Sequence, residues 1–142
     1  MGDSAVAAVR PLPLEDDISA GFWAAARERR LDIQYCSSCS RWNHTPSLTC
    51  PNCGSEDLAF RPASGRGLLY AWTVLHEPPA PGFRDMVPLI VGVVELEEQP
   101  RLFITTNILG ATVEQLRLGA PVEVMFEEVA DVVLPQFRLV GE

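Results

Sequence analysis

A chain of 142 residues, of which 47% are hydrophobic and 21% charged, can form one globular domain or two very small ones that share a core, and its composition excludes a disordered protein. It has eleven arginines, no lysine and nineteen acidic residues, and residues 67–142 hold four arginines against eleven acids. This acidic half would repel a phosphate backbone, so the charge opposes a nucleic-acid partner.

The N-terminal residues do not predict a secreted or membrane protein. The stretch MGDSAVAAVRPLPLEDD has no basic start followed by an apolar core, as a signal peptide would. No run of the chain approaches eighteen apolar residues, so we expect no membrane-spanning helix and a cytoplasmic location. Pro11 and Pro13 predict that residues 1–14 form an extended, flexible arm.

Residues 15–33 predict an N-terminal helix. Acidic residues lie at its start and three arginines fall in its last turns, as the helix dipole favours. Phe22 and Trp23 are adjacent, hence about 100° apart around a helix, and a small neighbouring module cannot easily cover both. Large aromatic side chains are common anchors of interfaces, so we predict that both contact a partner protein. The alternative is a helix that docks wholly inside the monomer.

All four cysteines fall in one C-x2-C-x10-C-x2-C pattern within residues 34–62: Cys36, Cys39, Cys50 and Cys53. Each C-x-x-C turn directs two sulfurs at one centre, and four thiolates complete a tetrahedral Zn²⁺ site with no position left for water or substrate. We therefore predict one structural zinc ion, which supplies about 10–16 kcal/mol of folding free energy in modules of this kind. Iron in a rubredoxin-like cage and disulfides are the alternatives, although disulfides are rare in the cytoplasm.

The ten residues between the cysteine pairs suffice for a short β-hairpin. His44 lies in this segment. Because four thiols already satisfy the metal, we interpret His44 as a surface residue of the hairpin and not as a ligand.

Residues 63–142 predict a β-barrel. The turn-rich stretch RPASGRG marks a joint near residue 63, and five strand-like segments follow, with a short helix, ATVEQLRLG, between the third and the fourth. This order is typical of an OB-fold barrel, with another five-stranded barrel as the alternative. The expected fold class is therefore mainly β with an N-terminal helix, a rubredoxin-like zinc ribbon and a five-stranded OB-fold barrel.

The sequence offers no catalytic constellation. Both histidines are isolated, and no serine lies in a G-x-S-x-G or S-x-x-K motif. His76, Phe83 and Arg84 flank the proline-rich stretch EPPAPG between two long strands. Loops of this kind often line the ligand mouth of a barrel, so these three residues are candidate ligand contacts. The alternative is a loop that packs only on its own barrel or on a partner.

Four segments, in this order, resemble a known family: GFWAAARERRLDIQYCSSC, TCPNCGS, SGRGLLYAWTVLHEPPAPGF and VPLIVGVVELEEQPRLFITTNI. They are similar to the DUF35 family of zinc-ribbon/OB-fold acyl-CoA-associated proteins, and the match runs from about residue 15 to the C-terminus. The resemblance implies a non-catalytic subunit of a heteromeric complex. Such a subunit stabilises a thiolase-fold partner enzyme and helps to hold the CoA thioester. The position of the proline-rich loop at a barrel mouth makes the pantetheine arm of that ester the candidate ligand of His76, Phe83 and Arg84.

The resemblance leaves the partner open. A lipid-transfer-protein-like aldolase, a lyase that cleaves a steroid side-chain CoA ester, is preferred, in a heterotetramer built on the dimer of the enzyme. A thiolase or condensing enzyme, or a MaoC-like enoyl-CoA hydratase, is the alternative. Binding of single-stranded nucleic acid, a use of other OB folds, is remote because the barrel is acidic. Electron transfer would require iron in place of zinc.

Overall fold

The computed structural model describes residues 10–141, which form one α-helix and two antiparallel sheets. The first sheet has three strands in the order β2-β1-β3, with β1 at Asp32–Cys36, β2 at Arg41–Asn43 and β3 at Leu58–Pro62. The second sheet has five strands and forms the barrel. The predicted fold class, mainly β with a helix, a zinc ribbon and an OB-fold barrel, is confirmed.

Helix α1 is shorter than predicted. It spans Ala20–Arg27 with Ser19 at the N-cap position, whereas the sequence predicted a helix over residues 15–33. The helix ends because Arg29 adopts a left-handed conformation, with φ 63°, and its N–H donates to the carbonyl of Ala26 at 2.9 Å. Strand β1 begins soon afterwards, so the last predicted helical residues belong to the ribbon.

The first C-x-x-C turn connects β1 to β2. The pairing of Gln34 with Asn43 places β2 beside β1, and the pairing of Asp32 with Pro62 places β3 on the other side. The predicted hairpin within the ten residues between the cysteine pairs is therefore wrong. That segment contains only one short strand, and it pairs back onto the strand that precedes the first pair.

The barrel strands follow the predicted order and the sheet order is β6-β5-β4-β7-β8. Their bounds are Arg66–Leu75 for β4, Leu89–Leu96 for β5, Phe103–Asn107 for β6, Pro121–Val129 for β7 and Val132–Leu139 for β8. A parallel bridge between Ile108 and Phe137 joins the two outer strands and nearly closes the barrel. The short helix predicted between the third and fourth barrel strands is one 3-10 turn, Val113–Gln115.

One hydrophobic core spans the helix, the ribbon and the barrel. Phe22 of α1 and Ile33 of β1 belong to the same buried cluster as Leu69 and Phe137 of the barrel. Helix and ribbon approach so closely that a Cβ atom at Gly21 would collide with the ring of Phe60. The three parts therefore bury each other's apolar surface and form a single folding unit.

Hydrogen bonds from a barrel turn hold the ribbon in place. The side-chain amide of Gln99, in the β5–β6 turn, accepts from the N–H of Trp42 at 2.9 Å and donates to its carbonyl at 3.0 Å. The N–H of Ser64 donates to the carboxylate of Glu98 at 2.6 Å. We call the Gln99–Trp42 pair the amide clasp. It satisfies both backbone groups of an edge strand that has no neighbour on that side.

The predicted N-terminal arm, residues 1–14, is only partly within the described range, and residues 1–9 lie outside it. Where the structure begins, Arg10 is 7% exposed and forms an ion pair with Glu127 of β7 at 2.8 Å. Its guanidinium also donates to the sulfur of Met86 at 3.1 Å and lies 5.8 Å from the ring centroid of Phe83. The end of the predicted flexible arm is thus fixed by a buried arginine. Helix α1 is too short to cross a membrane, and the described residues include no other α-helix.

Candidate functional site

The two cysteine pairs lie in turns of the same conformation. In the first, the N–H of Ser40 donates to the carbonyl of Cys36 at 2.8 Å; in the second, the N–H of Gly54 donates to the carbonyl of Cys50, also at 2.8 Å. Ser40 and Gly54 both have positive φ, 61° and 80°. This geometry turns the chain back after each C-x-x-C, so that both sulfurs of each pair face one centre.

The four sulfurs form a site of the right size for zinc. The Sγ atoms of Cys36, Cys39, Cys50 and Cys53 all lie within 4.8 Å of one another. The Cys36–Cys53 and Cys39–Cys50 pairs are each 3.6 Å apart. A tetrahedral ion with Zn–S bonds of about 2.3 Å requires sulfurs about 3.8 Å apart. The donor set fits the ion, and the predicted zinc cofactor is confirmed by this cluster and by the ribbon fold that carries it.

The electrostatics of the cluster also require a cation. Burial raises the pKa of the Cys50 thiol, but hydrogen bonds from the backbone N–H groups of Cys53 and Asn52 outweigh this effect and bring the pKa to about 6. A hydrogen bond from the backbone of Ser55 lowers the pKa of Cys53, but desolvation and three adjacent thiols raise it to about 12. Four thiolates this close repel one another unless a bound cation compensates their charge. With all four positions held by sulfur, the site is structural.

The two aromatic residues that the sequence predicts at a partner interface differ in burial. Phe22 is 8% exposed and packs in the shared core, and its ring also lines the cleft described below. The contact of Phe22 with a partner stays a prediction, and ribbon and barrel together cover most of its side chain. Trp23 packs edge-on to Phe22 at 4.9 Å and remains half-buried. It lines a small groove with Leu14, which is 93% exposed.

The three predicted ligand contacts lie in one long loop, but they have different surroundings. His76 and Arg84 are exposed, whereas Phe83 is half-buried beside Arg10. Arg84 begins a 3-10 turn, Arg84–Met86, and lines a groove of about 610 Å³ together with the loop prolines. His76 and Phe83 do not line this groove. Arg10, which sequence analysis assigned to a flexible arm, is the residue that fixes the loop to the barrel.

A larger cleft lies where helix, ribbon and barrel meet. It has a volume of about 660 Å³. Its walls include Phe22 and Trp23 from the helix segment, His44 and Pro46 from the ribbon, and residues of β5, β6 and β8, among them Pro135. No sequence motif pointed to this cleft, because each of its three walls comes from a different part of the chain.

His44 is half-buried in this cleft, and its interpretation as a surface residue is wrong. Its ring packs against Phe22, with centroids 5.5 Å apart and planes tilted by 33°. Burial lowers the pKa of His44 to about 4, and no hydrogen bond to the described residues opposes that effect. The imidazole is therefore neutral at physiological pH and presents one donor and one acceptor.

Two family models match consecutive parts of the chain. Residues 23–59 match the rubredoxin-like zinc ribbon domain of ChsH2, and residues 60–127 match the C-terminal OB-fold domain of ChsH2. The two models meet between residues 59 and 60, within strand β3.

Curated relatives include two kinds of protein. A probable enoyl-CoA hydratase alpha subunit from Thermomonospora curvata is 39% identical over 132 residues, which are 92% of this chain and 40% of that protein. The chain thus spans less than half the length of that relative. A DUF35 domain-containing scaffold protein from Methanothermobacter thermautotrophicus is 30% identical over 100 residues, which are 68% of this chain and 71% of that protein.

A solved structure has the same fold. A chain of the Ltp2-ChsH2(DUF35) aldolase superimposes with a TM-score of 0.81 and 36% sequence identity. The superposition covers 90% of this chain and 98% of that one. The likeness therefore extends over helix, ribbon and barrel together.

Proposed function

Since this chain belongs to the DUF35 family, we propose that it is a non-catalytic, zinc-binding subunit of a heteromeric enzyme complex that processes acyl-CoA thioesters. The observation that carries the proposal is its likeness, over 90% of its length, to a chain of the Ltp2-ChsH2(DUF35) aldolase. The names of its relatives, a scaffold protein and a hydratase alpha subunit, agree with an accessory role in acyl-CoA chemistry.

The side chains support a scaffold more than a catalyst. Over residues 10–141 no serine or cysteine is hydrogen-bonded to a histidine. The hydroxyls of Ser19 and Ser38 donate to the carboxylates of Asp16 and Asp57, in exposed turns. The four thiols face one another around the metal site, His44 lies against Phe22, and His76 is exposed in its loop. General acid–base or nucleophilic catalysis requires paired groups within hydrogen-bond reach. The reacting groups are therefore expected on the partner.

We infer that the partner is a thiolase-fold, lipid-transfer-protein-like aldolase. The solved neighbour is an aldolase, and the steroid side-chain CoA ester is the substrate that the family resemblance implies. A heterotetramer built on the dimer of the enzyme is the expected assembly. In this assembly the subunit stabilises the partner and helps to hold the thioester.

Two surfaces are proposed for these contacts. Trp23, half-buried beside the exposed Leu14, is the candidate anchor for the partner, because a large aromatic side chain at the edge of an apolar groove is typical of an interface hot spot. The loop with His76, Phe83 and Arg84 is the candidate contact for the pantetheine arm of CoA. Arg84 is exposed at a groove and carries the positive charge that a phosphate would require.

A second candidate partner is a MaoC-like enoyl-CoA hydratase. The 39% identity to a hydratase alpha subunit favours it, and a thiolase or condensing enzyme is a third. An aromatic pair on the barrel, the exposed Tyr70 and the half-buried Phe103 with ring centroids 4.6 Å apart, resembles a base-stacking platform, but Glu95 lies opposite Phe103 on the neighbouring strand. The acidic barrel keeps nucleic acid a remote alternative.

The test is co-expression of this chain with each of the three enzyme types, followed by affinity purification and size-exclusion chromatography. We expect a stable complex with the aldolase, and aldol cleavage of the CoA ester by the complex but not by this chain alone. Trp23→Ala should weaken assembly by about 2 kcal/mol or more, that is, about 30-fold or more in Kd. Leu118→Ala, at an exposed position away from the Leu14–Trp23 groove, is the matched control.

The outcomes separate the parts of the proposal. A complex with the hydratase alone would replace the aldolase by the second candidate. Assembly that Trp23→Ala leaves unchanged would remove Trp23 from the interface but not the complex itself. Turnover of a thioester by this chain without a partner would refute the non-catalytic role.

A further inference from the structure

The cleft between α1, the ribbon and the barrel has the size and lining of a small-molecule site. Its volume of about 660 Å³ lies within the range of roughly 300–1,000 Å³ that is typical of ligand pockets. Apolar side chains from three different parts of the chain converge on it, including Phe22, Trp23, Leu134 and Pro135. Because these parts share one core, the walls are held in place before any ligand binds.

The barrel side of the cleft is a fixed polar wall. Gln136, 5% exposed, accepts hydrogen bonds from the Thr106 hydroxyl at 3.1 Å and from the N–H of Asn107 at 2.9 Å. Its amide nitrogen donates to Glu127 at 3.0 Å, and Glu127 is held in turn by Arg10. The polar groups of these residues are already hydrogen-bonded to one another. They therefore shape the cleft, and hydrogen bonds to a ligand have to come from other residues.

His44 supplies hydrogen-bonding groups on the half-buried, ribbon side of the cleft. It lies in the cleft wall with its ring against Phe22, and its nitrogens bond to no side chain of the described residues. Burial keeps the imidazole neutral, because its pKa is lowered to about 4. A neutral imidazole offers a donor at one nitrogen and an acceptor at the other, and either can meet an oxygen-bearing group of a ligand.

The charge of the lining selects against anions. Among residues 10–141, Asp16 is the one charged residue that lines the cleft, and its carboxylate accepts hydrogen bonds from the N–H and the hydroxyl of Ser19. No arginine lines the cleft. An anionic ligand would therefore meet a carboxylate and no compensating cation, at a cost that rises as water is excluded.

We propose that this cleft binds an uncharged, mainly apolar small molecule that carries one hydroxyl or carbonyl oxygen. Its apolar body lies against Phe22, Trp23 and Pro135, and its oxygen hydrogen-bonds to His44. This inference depends on the cleft alone. It holds whether or not the chain assembles with an acyl-CoA enzyme.

Three probes of nearly the same shape test it: 2-naphthol, naphthalene, and the anion naphthalene-2-carboxylate. Each is titrated into the ¹⁵N-labelled, zinc-loaded full chain, and amide shifts are followed by two-dimensional NMR. We expect 2-naphthol to bind with saturable shifts confined to residues of the cleft. Naphthalene should bind about 5-fold more weakly, because it lacks the oxygen that meets His44. Naphthalene-2-carboxylate should bind more weakly than both.

Two variants locate the site. His44→Phe keeps an aromatic ring beside Phe22 but removes the hydrogen bond, so it should weaken 2-naphthol binding about 5-fold and leave naphthalene binding unchanged. Thr105→Trp, at an exposed position on the cleft rim, should block all probes. Leu118→Trp adds the same bulk at an exposed position outside the cleft and should have no effect. The spectra themselves report whether each variant is folded.

Several results would overturn the proposal. Shifts that do not saturate, that spread over the surface, or that persist in Thr105→Trp would show that the probe is not in the cleft. Carboxylate binding equal to that of 2-naphthol would refute the preference for an uncharged ligand. If the free chain binds no probe and the cleft amides become protected only in complex with a partner enzyme, the occupant is a side chain of that partner and the small-molecule site is wrong.

Discussion

Acidification should destabilise the fold through His44 in a way that can be calculated. Because burial lowers its pKa to about 4 from the usual 6.5, the unfolded chain takes up a proton at His44 before the folded chain does. The stability associated with neutral His44 is therefore fully present above about pH 6.5 and is lost as the pH falls toward about 4. The difference in pKa corresponds to about 3 kcal/mol in total, of which about 2 kcal/mol is lost by about pH 5.

The measurement is urea unfolding, followed by tryptophan fluorescence, of the zinc-loaded chain and its His44→Gln variant from neutral pH to about pH 5. Acid also protonates the zinc thiolates, but both proteins share that effect, so the difference between the two stability curves isolates His44. Asp16 is the other titratable group that lines the cleft, and its bond with Ser19 lowers its pKa, so it stays ionised over this range. Parallel curves, or a His44 ring that titrates near its ordinary pKa in NMR, would refute the reasoning.

Two further predictions concern the ribbon. Cys36→Ser should abolish stoichiometric zinc binding and unfold the ribbon, since removal of one sulfur leaves an incomplete metal site. Metal analysis and circular dichroism measure the two effects. A ribbon that stays folded after a chelator removes the metal would contradict a structural ion. Gln99→Ala should cost about 1–3 kcal/mol of unfolding free energy, because two hydrogen bonds to Trp42 are lost. Gln99→Glu should cost at least as much at neutral pH, because it keeps the acceptor but places a carboxylate oxygen against the carbonyl of Trp42. Equal stability of all three proteins in urea would show that the amide clasp is not energetically significant.

The parts of the fold that the sequence predicted well are those with strong local signals. Two C-x-x-C pairs at this spacing predict a four-sulfur metal site almost independently of the rest of the sequence, and the four sulfurs do converge. The barrel strands are β-branched runs separated by turn residues, so their number and order could be read directly. Local chemistry decides both features, and the tertiary structure does not alter them.

The structure differs from the sequence-based expectation where a distant part of the chain decides the outcome. Arg29 adopts a left-handed conformation, which ends the helix early, and an arginine in the sequence does not predict that conformation. The sequence predicts Phe22 at a partner interface and His44 on the hairpin surface, because in a helix or a ribbon considered alone nothing would cover them. In the folded chain the two rings pack against each other, and Phe22 joins the core that helix, ribbon and barrel share. Nothing in the sequence around Gln99, which lies in a turn, predicts that its side chain hydrogen-bonds to strand β2 of the ribbon.

The shared core explains why a structural metal matters to a scaffold. Ile33 of β1 belongs to the same buried cluster as Leu69 of the barrel, and the amide clasp joins the ribbon to a barrel turn at a separate point. Metal binding therefore stabilises the barrel as well as the ribbon, since unfolding of the ribbon would expose apolar side chains of the barrel to water. With the contacts proposed above, on both helix and barrel, the subunit would need these surfaces at fixed positions. A zinc ion in the four-sulfur site would hold them there without contacting either surface, so a site with no open coordination position would control the proposed assembly.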